Sequence, residues 1–212
     1  MAKSSLIILF ALFTSIISDE KQLQKQEDDP AYKEYQNVEK MIMQQPTLYM
    51  RYRTYNTSKN YECQYIQFGA KNGLTYPATT LGYKVPTKEH AETKKVTVTV
   101  KTTPYPKLTE GGATRIDPNT LIYEKVSEEY QENTQHDYYL IYADTNRCAV
   151  MRNSQKDGGF GCEMFVSDSS STPSETCETM YSSSCGNVKN IVWKSDCNKA
   201  IKEEEEIDWG DE

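Results

Sequence analysis

The chain is poor in the residues that do chemistry. It has only two histidines, His90 and His136, and no C-x-x-C pair, so it lacks the clustered donors of a metal centre. It has no G-x-S-x-G and no glycine-rich phosphate loop, which leaves nucleophilic hydrolysis and phosphoryl transfer without their usual supports. Gly158-Gly159-Phe160-Gly161 reads as a hairpin turn and an opening strand. His136 and Asp137 are adjacent, so in a strand they point to opposite faces, and His136 reads as a surface residue. The expectation is a protein that is not an enzyme and that needs no metal and no cofactor. A basic excess is also missing. There are 24 Lys and Arg against 31 Asp and Glu, so the electrostatic footprint of a nucleic-acid partner is absent.

What is present is patterned. Seven of the acids lie in the last ten residues (Glu203, Glu204, Glu205, Glu206, Asp208, Asp211 and Glu212), leaving 24 acids against 24 bases elsewhere. Residues 199–212 read as an acidic, solvated tail, although Ile207 and Trp209 within it could also dock on a basic protein surface. Leu6 to Ile17 is an apolar run behind Lys3 and before the small Ser18. It is too short to span a bilayer and has the form of a secretion signal over 1–18. No later run is long and apolar enough for an anchor, so no membrane association is expected. In an oxidising compartment the six cysteines imply three disulfides, of a connectivity that spacing alone leaves open. Sixteen Tyr stand against five Phe and two Trp. An apolar ring with one polar handle suits a ligand cavity and sheet packing alike.

Residues 19–29 are charged and read as a loose leader. Asp29-Pro30 then has the form of a helix start, a capping acid before a proline at the first helical position. Tyr32, Tyr35, Val38, Met41 and Ile42 follow at near-helical spacing over 30–44. Beyond Pro46, segments rich in Tyr, Val, Thr and Ile recur between turn residues. They predict strands near 47–55, 61–68, 78–84, 93–102, 119–126, 137–143, 147–152 and 160–166, an antiparallel sandwich or closed barrel. Alternation is cleanest where Val96, Val98 and Val100 face one way and Thr97, Thr99 and Lys101 the other. Thr172-Pro173 repeats the cap-then-proline signal, Cys177, Met180 and Tyr181 share one helical face, and Gly186 supplies a stop. A last strand is predicted over 190–194.

Three stretches carry a family resemblance. Tyr49 to Tyr55 with Tyr61-Glu62-Cys63, then Cys148-Ala149-Val150 with Gly161 to Val166, then Ser174 to Cys197 with its three spaced cysteines, resemble the tick salivary lipocalins of the histamine-binding family. The resemblance implies a lipocalin domain over 30–198: all-β with flanking helices, an eight-stranded antiparallel barrel with an N-terminal and a C-terminal helix packed outside. It implies the pairs Cys63–Cys197, Cys148–Cys177 and Cys162–Cys185. If Cys148 and Cys162 face out to the late helix, Ala149, Met151, Glu163 and Phe165 face in.

The ligand contacts it implies are Tyr55, Leu121, Tyr123, Tyr139, Glu163 and Phe165. Ser58, Lys94, Tyr139 and Ala149 align where amine-binding relatives place acids, so one acidic contact of the set survives, Glu163. Arg51 and Arg53 share the inward parity of Tyr55 and, with Lys94, could meet an anionic head group. Asn56 opens the only N-glycosylation sequon, Asn56-Thr57-Ser58. The implied function is that of a monomeric protein secreted in tick saliva, which sequesters a small host mediator and so blunts host defence. The mediator is by default a biogenic amine such as histamine or serotonin. An anionic lipid mediator is the rival ligand, and a protein-binding factor directed at haemostasis or complement is the rival class.

Overall fold

The computed structural model describes residues 25–106, 114–126, 133–144 and 147–201. The signal at 1–18, the first part of the leader and the acidic stretch from 202 onward lie outside the described residues. Asp29 accepts from the Ala31 amide at 2.9 Å and opens a 3-10 helix, Pro30–Tyr35. The single helix expected over 30–44 is interrupted at Gln36-Asn37. Gln36 turns inward and donates to the carbonyls of Gln26 at 2.8 Å and Ile141 at 3.3 Å. Asn37 then caps helix α1, Val38–Gln44, accepting from the Lys40 amide.

Eight strands follow: β1 Thr47–Arg53, β2 Glu62–Gln67, β3 Thr75–Lys84, β4 Glu92–Lys101, β5 Thr120–Val126, β6 Asn133–Asp144, β7 Cys148–Asn153 and β8 Gly161–Val166. Each pairs antiparallel with the next, and β8 returns to β1 while β1 also pairs with β2. The sheet is therefore closed, which removes the exposed edges that an open sheet must protect. A two-residue strand β9, Asn190–Ile191, joins β1 at Tyr52 and Arg53. It is shorter than the strand predicted over 190–194, because Trp193 leaves the ladder to pack with Cys63 and Cys197.

Valine alternation in β4 translates directly. Val98 and Val100 are buried in the barrel interior, with Val96 packed against them. Val38, Met41 and Ile42 of α1 join the same core, so this helix plugs one end of the barrel. Every residue of β7 and β8 is buried, because the second long helix, α2 (Glu175–Cys185), covers their outer face. Its Cys177, Met180 and Tyr181 meet Val150, Met164 and Val166, and Tyr181 packs edge-on against Tyr52 with ring centroids 4.9 Å apart. The α2 cap is Ser174, accepting from the Cys177 amide at 3.3 Å, two residues beyond the Thr172 expected from sequence. The disulfides join Cys63 to Cys197, Cys148 to Cys177 and Cys162 to Cys185.

The leader, expected to be loose through residue 29, is part of the fold from Lys25. Glu27 is 2% exposed. Its carboxylate takes both the Nε and the Nη2 of Arg152, an outward residue of β7. Arg152 also donates to the carbonyls of Phe160 and Ser184, which ties leader, β7 and α2 together. At the other boundary, Ala200 is buried and its carbonyl accepts from the Ala91 amide at 3.4 Å, so the first residues assigned to the tail pack on the barrel.

Candidate functional site

Opposite the end plugged by α1, the barrel opens to solvent through a cavity of about 720 Å³. The registers decide which side chains reach it. On β8, Glu163 and Phe165 face in, opposite Met151 and Ala149 on β7. On β1, Met50 lies opposite Phe165 and Arg53 opposite Glu163, with a bulge between Met50 and Tyr52. On β5 and β6, Leu121 faces Tyr138 and Tyr123 faces His136. Leu121, Tyr123, Glu163 and Phe165, four of the residues selected from sequence, line the cavity.

Glu163 is the organising group. It is 1% exposed. Its Oε1 accepts from the Tyr55 hydroxyl and from Asn153 Nδ2, the latter at 3.1 Å. Asn153 Nδ2 also lies 2.9 Å from the Tyr138 hydroxyl. Glu163 Oε2 is buried and accepts no hydrogen bond from any described residue. Burial pushes the Glu163 carboxyl above its ordinary value, opposed by the bonds from Tyr55 and Asn153 and by the positive charge of Arg53 and Lys156. Burial also raises the phenols of Tyr55, Tyr123 and Tyr138, so all three are neutral at physiological pH. Tyr123 stacks on His136 with centroids 4.9 Å apart and on Tyr138 at 5.8 Å. The result is an aromatic wall beside one carboxylate with a buried oxygen that lacks a donor among the described residues.

Several expectations need correction. Tyr139 faces outward, opposite Arg152, and the nearby charges acting on it belong to Asp137, Asp28 and Glu27. Its neighbour Tyr138 takes the inward place. His136, read as a surface residue, lines the cavity, because β6 begins at Asn133 rather than at 137. Arg51 sits at the β1 bulge and its Nη1 donates to the Ser169 carbonyl at 3.3 Å, so it does not reach the cavity. Arg53 does face in, but its guanidinium is engaged with Gln64 Oε1, Thr57 Oγ1 and the carbonyls of Tyr55 and Tyr61. It pins the segment after β1, which places Tyr55 over Glu163.

Asn56, on that segment, is exposed, as is Ser58. Lys94 lines the cavity and Ala149 belongs to the interior core. Asn153 was not selected from sequence. It has the inward parity of Ala149 and Met151, and extending the predicted strand 147–152 by one residue would have found it. Among the described residues no His, Cys, Asp and Glu cluster could hold a metal, and no helix is long and apolar enough to cross a membrane.

A closed eight-stranded barrel with one end plugged by a helix, around a ligand-sized cavity, is the architecture of a lipocalin. The family model described as tick histamine binding protein matches residues 26–199, and the chain belongs to that family. Among solved structures it is similar to AM182 in its serotonin complex, at 17% identity over 79% of this chain and 91% of that one, with a TM-score of 0.47. Japanin from Rhipicephalus appendiculatus bound to cholesterol is similar at 18% identity, over 72% and 95%, with a TM-score of 0.49. LTBP1 in its LTC4 complex is similar at 10% identity, over 75% and 87%, with a TM-score of 0.46. A search of curated protein sequences gives no match.

Proposed function

We propose that the protein binds and sequesters a small host amine, and that it is secreted in tick saliva to blunt inflammation at the feeding site. The observation that carries this reading is the buried Glu163 carboxylate in the cavity wall, with one oxygen held by Tyr55 and Asn153 and the other buried without a hydrogen-bond donor among the described residues. An ammonium that leaves water loses its hydration and must be paired to stay charged. The Glu163 carboxylate supplies that pair. The faces of Tyr123 and Tyr138 add attraction of about 0.5–2 kcal/mol for each ring that the cation meets. Capture is stoichiometric, so the mechanism rests on affinity and abundance. The three disulfides and the N-terminal apolar run favour an extracellular setting.

A second reading rests on a different observation. Lys59 and Lys94 line the same cavity, and they could meet the head group of an anionic lipid mediator. Calorimetry with histamine, serotonin, a leukotriene and a fatty acid separates the two. Glu163→Gln should weaken the amine by about 30-fold or more, the loss of one desolvated charge-assisted bond of roughly 2 kcal/mol. It should leave a lipid carboxylate unaffected or better bound. An amine affinity unchanged in that variant would remove Glu163 as the anchor.

A further inference from the structure

The Glu163 site occupies a small part of the cavity. Below it, toward α1, the wall changes character. Met50 and Phe165 oppose each other one inward position deeper than the Arg53–Glu163 pair. With Phe68, Val98, Leu121 and Met151 they line the cavity and belong to the interior apolar core. These six side chains offer neither a charge nor a hydroxyl, so a polar ligand body placed among them loses its hydration without return.

The volume points the same way. Liquid water takes about 30 Å³ per molecule, and the cavity measures about 720 Å³. It therefore admits roughly two dozen groups of water or methylene size. A compact ring amine such as histamine fills about a third of that space. The remainder is mostly apolar depth on one side of the carboxylate. On the other side stand Lys59 and Lys94, whose like charge disfavours an ammonium held at that level. The favoured place for a cationic head is at Glu163, with its body among the deeper side chains.

We propose that the preferred ligand is a single-chain amphiphilic amine, an ammonium head on a long apolar body, seated with its head on the Glu163 carboxylate and its chain along the wall formed by Met50 and Phe165 toward α1. This rests on the reading of Glu163 as the amine anchor and adds the ligand's second half. Head and tail are recognised by different chemistry. The head is selected by charge and by the aromatic wall. The tail is selected by burial, which favours length and tolerates differences in detail.

Titration calorimetry of the full mature chain at neutral pH tests this with histamine, butylamine, octylamine, dodecylamine and octanoate. Affinity should rise about three- to fourfold for each buried methylene, with dodecylamine well ahead of histamine and one amine bound per chain. In Glu163→Gln the whole amine series should weaken by one common factor while its dependence on chain length persists. An affinity flat in chain length, or two compact amines bound per chain, overturns the proposal and leaves Glu163 as an amine anchor. Octanoate binding tighter than octylamine, or a series unmoved in Glu163→Gln, overturns the amine reading itself.

Discussion

Asn153 occupies one inward position at the end of a strand and touches three other members of the site. Its Nδ2 meets Glu163 Oε1, the Tyr55 hydroxyl at 3.3 Å and the Tyr138 hydroxyl at 2.9 Å. Its bond favours the ionised form of a carboxyl that burial drives the other way. Because the folded-state pKa of Glu163 is raised, its contribution to stability is full below the ordinary carboxyl value and is lost as pH rises through the raised one. An ammonium binds the ionised form, so amine affinity should climb with pH across the same window and level off above it. Asn153→Leu should move that rise to higher pH while retaining most of the affinity on the plateau. A pH series of calorimetric titrations on both proteins checks this, and an unmoved midpoint would exclude Asn153 as the group that tunes the acid. The sequence made Glu163 legible through its place between Cys162 and Met164. Tyr138 and His136 were not legible, because the β6 register shifts between Leu140 and Tyr142 and the strand begins four residues early. Parity counted along a strand fails at a bulge.

At the scale of elements, the strands that could be read were those with one wet face. In β4 the valines point in and the threonines out, and the text alternates. In β7 and β8 both faces are buried, and alternation gives way to near-continuous apolar text. Here the cysteines supplied the parity, because a sulfur bonded to α2 has to face outward. The break between the 3-10 helix and α1 had no local signal. It follows from Gln36 satisfying distant carbonyls and accepting from Arg115 Nη1 at 2.8 Å, contacts made only in the folded chain. The leader's attachment was hidden for the same reason. Glu27 and Arg152 are far apart in sequence, and both are almost fully buried. Arg152→Met should leave Glu27 buried without its partner and destabilise the fold by about 3–5 kcal/mol. Replacing both, as Glu27→Leu with Arg152→Met, should recover a large part of that loss. Thermal unfolding of the two variants tests it, and equal losses in both would show that the pair itself, rather than the orphaned acid, supplies the stability.

For the whole molecule, closure of the barrel and closure of the chain reinforce each other. The Cys63–Cys197 bond joins residues 134 apart, a loop whose restriction of the unfolded chain amounts to about 4–5 kcal/mol in the chain-entropy picture. Cys63→Ala with Cys197→Ala should therefore lower the melting temperature by more than the removal of Cys162 and Cys185, which are 23 apart. A differential scanning comparison of the two double variants decides between this order and its reverse. The reverse order would mean that local packing against α2 outweighs loop length.

Glu163 is mounted on a strand whose inner face forms the cavity wall and whose outer face is clamped through Cys162 to α2. Its rotamer is fixed by Tyr55 and Asn153 before any guest arrives. The entropy of ordering that side chain is thus spent while the polypeptide matures and oxidises, not at the moment of encounter. A site built this way is preorganised, and with the proposed amine as its guest the complex should be long-lived even when the guest is dilute.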